Sequence, residues 1–232
     1  MFKTELHMHS HEVSPCCDLP TEEIAARYLR AGYTTITVTD HYGARLAERI
    51  LDVRERVAFF MEGYHAFCRA VDDRAKVLFG FELRLNGERN EYLVYGLGED
   101  FLLENPTVYE LSRAEAVALI HAAGGLIYQA HPFRNGMTVA DPKGLDGIEI
   151  FNAHNTHDSR NYLAYALAKK EGLCGIAGSD FHHPYHWPAA GIMTEDPILS
   201  EKELLDILRA GTFRTFGEII PREQVPAMVG NP

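Results

Sequence analysis

The chain has 232 residues, of which 46% are hydrophobic and 24% charged, a composition typical of soluble globular proteins with one well-buried core. Its 22 Lys and Arg against 33 Asp and Glu give a formal charge of −11, which argues against a broad basic face for long nucleic acids. We expect no signal peptide, no membrane partner and, because its 4 cysteines show no disulfide or C-x-x-C pattern, a cytoplasmic protein.

Strand-like and helix-like segments alternate along the chain. The first helix is expected over 22–31, because Thr21 can cap it and Gly32 can end it. Strands are predicted at 4–8, 34–38, 76–83, 91–97, 126–129, 147–151, 173–177 and 212–216, and further helices at 44–71, 114–123, 160–171 and 201–209. This alternation predicts an α/β fold with a parallel sheet, closed or nearly closed into a barrel. A single domain over residues 1–220 is expected, followed by a loosely held tail over 221–232.

Histidine and carboxylate side chains follow the ends of several predicted strands. His7 and His9 lie two residues apart on a strand, so both side chains point to the same face. The other strand-end candidates are Asp40, His41, Glu82, His131, Glu149, Asn152, Asp180 and His182. The carboxyl ends of barrel strands meet at one face, where active sites collect. Imidazoles and carboxylates brought together there are the ligands that a multi-metal hydrolytic centre needs.

Three residues near these positions are candidates for binding a substrate. Arg134 follows His131 by three residues, and its guanidinium can clamp a phosphate through two parallel N–H donors. Arg84, close to Glu82, is a second candidate, and a surface ion pair is the alternative for each arginine. His154 lies beyond the end of a predicted strand and is a candidate for reaching the substrate.

The ordered motifs resemble those of a known family. His7-x-His9-Ser10, Thr39-Asp40-His41, Gly80-x-Glu82, Ala130-His131-Pro132 and Gly178-Ser179-Asp180-x-His182 are similar to the motifs of the PHP family, named for polymerase and histidinol phosphatase. The resemblance implies a distorted (β/α)7, TIM-like barrel, two or three divalent ions (zinc, manganese or iron) and hydrolysis of a phosphate ester. It also implies that one metal is held by His7, His9, Glu82 and Asp180, that His41 serves a second, and that His131 and His182 serve the second or a third.

The chain departs from the family pattern at two places. Family members often carry Ser-Asp-Gly soon after H-x-H-S, and that Asp is a ligand, whereas residues 10–18 contain no such triplet. We expect Glu12 to replace it, because Glu12 lies close behind His9, with Asp18 and Cys16 as alternatives. Many relatives also place a histidine on the strand after the glutamate, whereas residues 90–95 contain none. The choice between two and three metals therefore stays open.

The residues and the resemblance together predict a metal-dependent phosphoesterase, a phosphoric monoester hydrolase that acts on a small phosphorylated substrate. A hydroxide bridging two metals is expected to attack phosphorus, with Asp180 and His182 as catalytic residues and His182 as the proton donor to the leaving group. One alternative is a metal-dependent amidohydrolase, because the same nucleophile attacks a carbonyl carbon. Another is a non-catalytic, metal-binding PHP-like module. The oligomeric state does not follow from the sequence.

Overall fold

The computed structural model describes residues 1–229 and shows an α/β fold in which one mixed sheet curls into a nearly closed barrel. The strands are Phe2–Glu5 (β1), Tyr33–Val38 (β2), His41–Tyr42 (β3), Lys76–Arg84 (β4), Glu91–Tyr95 (β5), Leu126–Gln129 (β6), Gly147–Asn152 (β7), Cys174–Gly178 (β8), Ala190–Thr194 (β9) and Arg214–Gly217 (β10). The helices are Thr21–Arg30 (α1), Ala44–Arg49 (α2), Val53–Val71 (α3), Glu99–Glu104 (α4), Arg113–Ala122 (α5), Asn161–Glu171 (α6), Glu201–Ala210 (α7) and Val225–Val229 (α8). The predicted single-domain α/β barrel is confirmed.

The sheet is mixed, so the prediction of a parallel sheet is wrong in part. Its strand order is β10-β9-β1-β2-β4-β5-β6-β7-β8, with β3 beside β4. The neighbours β1, β2 and β4 are parallel, as are β6, β7 and β8, but β5 runs antiparallel to both β4 and β6. The link between β4 and β5 is too short for a crossover helix, and a short link favours an antiparallel pair. The strand β9, which the sequence analysis did not predict, pairs antiparallel with β1 and β10.

The predicted helix over 44–71 is divided into α2 and α3. The break falls at residues 50–52, where Ile50 adopts an extended conformation and Asp52 begins the next helix. The carboxylate of Asp52 accepts a hydrogen bond from the backbone N–H of Glu55 at 2.9 Å, which is the usual contact of an N-cap. The rings of Phe60 on α3 and Phe79 on β4 meet edge to face at 6.1 Å, and such contacts fix the helix against the sheet.

The described part of the predicted tail is helical. A short 3₁₀ turn over Arg222–Gln224 leads into α8, and Val225 is buried. Arg30 on α1 donates a hydrogen bond to the carbonyl of Met228 at 3.1 Å. Residues 230–232 lie outside the described residues, and the boundary at residue 220 stays a prediction. Within residues 1–229, no helix has the length and apolar character needed to cross a membrane.

Backbone hydrogen bonds continue past the strand ends and join the segments that carry the candidate ligands. β1 ends at Glu5, earlier than predicted, and His7 and His9 lie just beyond it. The N–H of Asp180 donates to the carbonyl of His7 at 2.7 Å, and the N–H of Glu82 donates to the carbonyl of Asp40 at 2.9 Å. The segments after β1, β2 and β8 and the last part of β4 are therefore held side by side at one end of the barrel.

Gly178, at the end of β8, allows this close approach. A Cβ atom at this position would lie 2.3 Å from the Cβ of His7 and 3.0 Å from an oxygen of Glu149. We predict that Gly178→Ala lowers the free energy of unfolding by about 1–3 kcal/mol, the usual cost of overpacking a core. Urea-induced unfolding of the two proteins measures this change in the free energy of unfolding. Gly98→Ala is the control, because a Cβ there has no neighbour within 4 Å among residues 1–229. Equal stability of the two variants would contradict the prediction.

Candidate metal centre

One buried carboxylate faces four imidazoles. Glu82 lies on β4 with its side chain buried. Its Oε1 is 3.4 Å from Nε2 of His7 and 3.1 Å from Nε2 of His131. Its Oε2 is 3.4 Å from Nε2 of His9 and 2.9 Å from Nδ1 of His41. Although burial opposes ionisation, His7 and His41 hold the pKa of Glu82 well below its usual range, so the carboxylate is charged.

Asp180 and His182 approach the same point from the end of β8. Oδ1 of Asp180 lies 3.5 Å from Nε2 of His7 and 3.4 Å from Nε2 of His9. His182 donates from Nδ1 to the carbonyl of Asp180 at 2.9 Å, so Nε2 is its ring nitrogen left for other contacts. Its ring centroid is 4.1 Å from that of His9. We call these seven residues the histidine–carboxylate cluster: His7, His9, His41, Glu82, His131, Asp180 and His182.

The atoms of this cluster are arranged as metal ligands. Three overlapping groups bring their donor atoms within 4.8 Å of one another: His7, His9 and Glu82; His7, His131 and Asp180; and His9, His41 and His182. The Nε2 atoms of His7 and His9 face each other at 3.3 Å, and Oε2 of Glu82 is faced by the imidazoles of His9 and His41 without a hydrogen bond of good geometry from any of residues 1–229. A bound cation would satisfy this buried oxygen and the facing lone pairs together. Imidazole and carboxylate donors suit zinc, manganese or iron ions.

Backbone strain accompanies two of the ligand candidates. Asp180 has a φ of 49° and His131 a φ of 26°, both in the left-handed region that non-glycine residues rarely adopt. For His131 this is notable because a residue before proline usually adopts an extended conformation. Such strain persists only where the surroundings fix it, as they do at functional sites. The N–H of His131 donates to Glu149 Oε2 at 2.9 Å, which is one such restraint.

Glu149, on β7, is not one of the seven cluster residues, but its hydrogen bonds orient two of them. Its Oε1 lies 3.0 Å from Nδ1 of His7, and its other oxygen accepts hydrogen bonds from the backbone of His131 and from Nδ2 of Asn152. A carboxylate at Nδ1 fixes the tautomer of His7 so that Nε2 presents its lone pair to the cluster. Asn152, another strand-end candidate, also donates to Oδ2 of Asp180 at 3.1 Å.

Asp40 orients the ring of His9 indirectly, through the hydroxyl of Ser14. It accepts hydrogen bonds from the N–H and hydroxyl of Ser10 at 2.8 and 2.6 Å, and from the hydroxyl of Ser14 at 2.6 Å. The Ser14 oxygen lies 3.3 Å from Nδ1 of His9. Burial raises the pKa of Asp40 to about 6, although the hydrogen bonds from Ser10 and Ser14 oppose that rise. Asp40 therefore positions His9, and its oxygens are occupied by hydroxyl and amide donors.

Glu5 is a buried residue that the sequence analysis missed. It accepts hydrogen bonds from the backbone N–H groups of His7 and Ser179 and from the hydroxyl of Tyr28, each at 2.9 Å. Burial raises its pKa to about 7. Through these contacts Glu5 ties β1 to the end of β8 and to α1. The available signal was its place two residues before His7, on the same face of an apolar strand.

The structure does not bring Glu12 into the cluster. Its carboxylate accepts a hydrogen bond from the hydroxyl of Thr21 at the start of α1, which turns it away. Asp18, one alternative, pairs with His183. Cys16, the other alternative, hydrogen-bonds with His182 and His41. Although burial opposes it, these hydrogen bonds lower the pKa of the Cys16 thiol to about 7.

The two candidate arginines are placed differently from the expectation. Arg134 forms an ion pair with Oδ2 of Asp180 and donates to Oδ1 of Asn152, so its guanidinium is already engaged. Although burial opposes ionisation, Arg134 and His7 hold the pKa of Asp180 well below its usual range. Arg84 has an exposed side chain and lies 3.6 Å from Oε1 of Glu91. Neither arginine is a free phosphate clamp in this arrangement.

A cavity of about 440 Å³ lies beside the cluster. His41 and Cys16 line it, and Arg45, Arg49 and Arg84 add three guanidinium groups. Apolar side chains that contribute to its wall are Val13, Tyr42, Leu46 and Leu85. Ligand sites are usually concave, largely apolar and provided with a few polar groups, and this cavity has those properties.

His154 is not among the residues that line this cavity. It is buried, and its ring centroid is 5.6 Å from that of His182. One of its ring nitrogens comes within 4.8 Å of donor atoms of Asp180 and His182. The position of His154 next to the cluster is compatible with the predicted contact to a substrate.

Comparison with known proteins bears on the family. The PHP-associated family model matches residues 158–213, which include Asp180 and His182. A 5′-3′ exoribonuclease from Haemophilus influenzae is 42% identical over 85 residues, which cover 33% of this chain and 31% of that protein. The alignment thus spans about a third of that relative's length.

Solved structures share the fold at low sequence identity. A two-domain protein from Bacteroides vulgatus, described as containing a PHP-like metal-dependent phosphoesterase, matches with a TM-score of 0.67 and 16% identity over 94% of this chain and 65% of that chain. A lesion-specific endonuclease from Pyrococcus furiosus matches with a TM-score of 0.61 and 16% identity over 92% of this chain and 57% of that chain. The matched PHP-associated segment and the shared barrel make the chain similar to PHP-like proteins over part of its sequence and in its fold.

Proposed function

We propose that this protein is a metal-dependent phosphoesterase that hydrolyses a small phosphate ester. The convergence of the histidine–carboxylate cluster at one end of the barrel carries the proposal, because ligands from five separate segments share one buried pocket. The names of the related proteins support metal-dependent hydrolysis of phosphate esters. These three names favour phosphorus over the amide carbonyl of the alternative, whereas a solved structure from Chromobacterium violaceum with a TM-score of 0.52 is named an amidohydrolase. The number of ligand candidates favours an enzyme over a non-catalytic module.

The residues that would hold two or three divalent ions are His7, His9, His41, Glu82, His131 and Asp180, while the Nε2 of His182 is reserved for proton transfer. When bound, such ions supply Lewis-acid stabilisation of charge and activation of water near neutral pH. The chain prepares the ligands for this role, because Glu149 at Nδ1 of His7 and Ser14 at Nδ1 of His9 direct both Nε2 lone pairs into the pocket. Arg134 compensates the charge of Asp180 and keeps its carboxylate ionised.

His182 is our candidate for the proton donor to the leaving alkoxide. Its Nδ1 is held by the carbonyl of Asp180, so Nε2 is the atom that faces the reacting groups. Positioned imidazoles of this kind contribute about 10²–10⁴-fold to proton-transfer steps. Asp180, through that carbonyl and its carboxylate, sets the orientation of His182.

The cavity beside the cluster is our candidate for the pocket that holds the organic part of the substrate. Its volume of about 440 Å³ is within the usual range for small-molecule sites. Its lining carries Arg45, Arg49 and Arg84 against Glu88 and Glu91, a balance of one positive charge on a chain whose formal charge is −11, which favours an anionic substrate.

A short nucleic acid is the second candidate substrate. The 42% identity to an exoribonuclease over 85 residues favours it, and the endonuclease among the solved structures has the same fold. The acidic net charge speaks against long nucleic acids, yet a short strand needs only local positive charge. The expectation of a small substrate without nucleic acid is therefore widened to include an oligonucleotide end.

We predict that His9→Ala abolishes metal-dependent hydrolysis while the fold is retained. With Mn²⁺ and p-nitrophenyl phosphate, kcat/KM should fall by more than about 100-fold, since even residues that only orient metal ligands are worth about 10–100-fold. Elemental analysis should show less bound metal, and circular dichroism should match the unaltered protein. His65→Ala is the control, because His65 is exposed on α3.

A panel of three kinds of substrate distinguishes the small phosphate ester, the short nucleic acid and the amide as substrates. Phosphate monoesters, a 5′-phosphorylated trinucleotide and an anilide are offered to the same metal-loaded protein. Turnover of the monoester alone supports the first candidate, and turnover of the trinucleotide supports the second. Hydrolysis of the anilide without either phosphate ester would overturn the proposal, as would inactivity towards all three.

We predict that Glu149→Gln weakens metal binding without removing a ligand. Loss of the negative charge at Nδ1 of His7 lowers the basicity of that imidazole, so metal affinity should fall by about 10–100-fold. Competition with a chelator of known affinity measures this. Glu22→Gln, an exposed substitution on α1, should leave the affinity unchanged. An unaltered affinity in Glu149→Gln would show that His7 does not hold a metal.

A further inference from the structure

A further carboxylate, outside the histidine–carboxylate cluster, faces two of its imidazoles from β5. Glu91 is the first residue of this strand, and its side chain is only 8% exposed. Its Oε1 lies 3.8 Å from Nδ1 of His41, and its Oε2 lies 3.6 Å from Nε2 of His131. Oxygens of Glu82 lie 2.9 and 3.1 Å from the same two ring nitrogens. Two carboxylates therefore flank both imidazoles.

The pairing of β4 with β5 explains why acidic residues of two strands point to one place. Glu82 is opposite Leu93 in this antiparallel pair, and Arg84 is opposite Glu91. Side chains two residues apart on a strand share a face, and so do paired residues on neighbouring strands. Glu82 and Glu91 therefore project from the same face of the sheet, and the register of the two strands fixes both positions.

The contacts of Glu91 with charged or titratable groups are long. They measure 3.8 Å to His41, 3.6 Å to His131 and 3.6 Å to Arg84, whereas charge-assisted hydrogen bonds are about 2.7–2.9 Å long. The side chain of Arg84 is 45% exposed, and water weakens ion pairs of this kind. Oε2 of Glu82, which also faces His41, has no hydrogen bond of good geometry from any of residues 1–229. Both carboxylates therefore have binding capacity left on the side of His41.

The spacing of these atoms suits a divalent cation. Metal bonds of about 2.0–2.2 Å to nitrogen and oxygen place the donor atoms of a tetrahedral site roughly 3.3–3.6 Å apart. The four carboxylate-to-imidazole distances, which are 2.9, 3.1, 3.6 and 3.8 Å, lie on both sides of that range. His41 and Glu91 also line the cavity of about 440 Å³, so this side of the cluster is open to an entering ion.

We infer that Glu91 is a further metal ligand, which binds an ion on the cavity side of the cluster together with Glu82, His41 and His131. Residues 90–95 contain no histidine, and Glu91 is a carboxylate of this stretch that reaches the cluster. Two carboxylates make this position rich in oxygen donors, which favours Mn²⁺ over Zn²⁺. The inference rests on the metal centre of the proposed function but not on its substrate.

Metal binding by Glu91→Gln tests the inference without turnover. The affinity for one equivalent of Mn²⁺, measured from the paramagnetic resonance signal of the free ion, should fall by more than about 100-fold, because residues that only orient a ligand are worth about 10–100-fold. The affinity for Zn²⁺, measured by competition with a chelator, should fall less, since the substitution removes an anionic oxygen donor. Glu88→Gln is the matched control and should bind both metals normally. Glu88 lines the same cavity, but its carboxylate accepts a hydrogen bond from the hydroxyl of Tyr92 at 2.6 Å.

The position of the ion in crystals of the unaltered, Mn²⁺-loaded protein is a second measurement, which does not depend on the folding of a variant. Anomalous scattering from manganese should place an ion about 2.0–2.6 Å from an oxygen of Glu91, the range of metal–carboxylate bonds. Ions that bind at the cluster but leave both oxygens of Glu91 outside that range would overturn the inference.

The outcomes distinguish an error in the ligand from an error in the function. Unchanged Mn²⁺ binding in folded Glu91→Gln overturns the inference, as does an equal loss of binding in Glu88→Gln. If Glu91→Gln does not fold, the distance measured in the crystal decides. If Glu91 binds the ion but the unaltered protein hydrolyses no phosphate ester, the ligand stands and the proposed function fails. If esters are hydrolysed while Glu91 takes no part in metal binding, the function stands and the ligand fails.

Discussion

The burial of Glu82 and Asp180 among imidazoles is the constraint on which this end of the barrel depends. Two ionised carboxylates with so little contact with water are costly unless opposite charges or ligands surround them. Arg134 compensates only one oxygen of Asp180, and Oε2 of Glu82 is faced by the imidazoles of His9 and His41 without a hydrogen bond of good geometry from any of residues 1–229. Divalent cations shared between these carboxylates and the facing imidazoles would offset the cost, and in the function we propose they would also supply the chemistry of hydrolysis.

Three buried acidic residues next to the cluster fix the orientation of its histidines. Glu149 and Asp40 act on His7 and His9 through Nδ1, and Glu5 fixes the backbone from which His7 projects. Each of these acids has its oxygens occupied by hydrogen-bond donors of the chain. They therefore position ligands without competing for the cations, and their removal is expected to affect metal affinity more than the fold.

The sequence predicted the ligand candidates better than their surroundings. His7, His9, His41, Glu82, His131, Asp180 and His182 were identified because strand ends in a barrel meet at one face, a rule that needs only the order of elements. The contact between Glu5 and Ser179 joins residues 174 positions apart, and no local pattern encodes it. Glu12 was chosen as the replacement ligand because it is close to His9 in sequence. In the structure its carboxylate is hydrogen-bonded to Thr21, and Cys16 is the residue of this segment that contacts the cluster. The antiparallel orientation of β5 was not predicted. Parallel strands were expected throughout, although the link between β4 and β5 contains no helix.

The most direct measurement is the electron paramagnetic resonance spectrum of the Mn²⁺-loaded protein, recorded as metal is added. Shared ligands predict two ions about 3.5–4 Å apart, whose spins couple and give a spectrum unlike that of isolated Mn²⁺. Coupling should develop before the second equivalent is complete and should vanish in Glu82→Gln. Saturation at one uncoupled ion per chain would contradict the shared centre at which the proposed hydrolysis takes place.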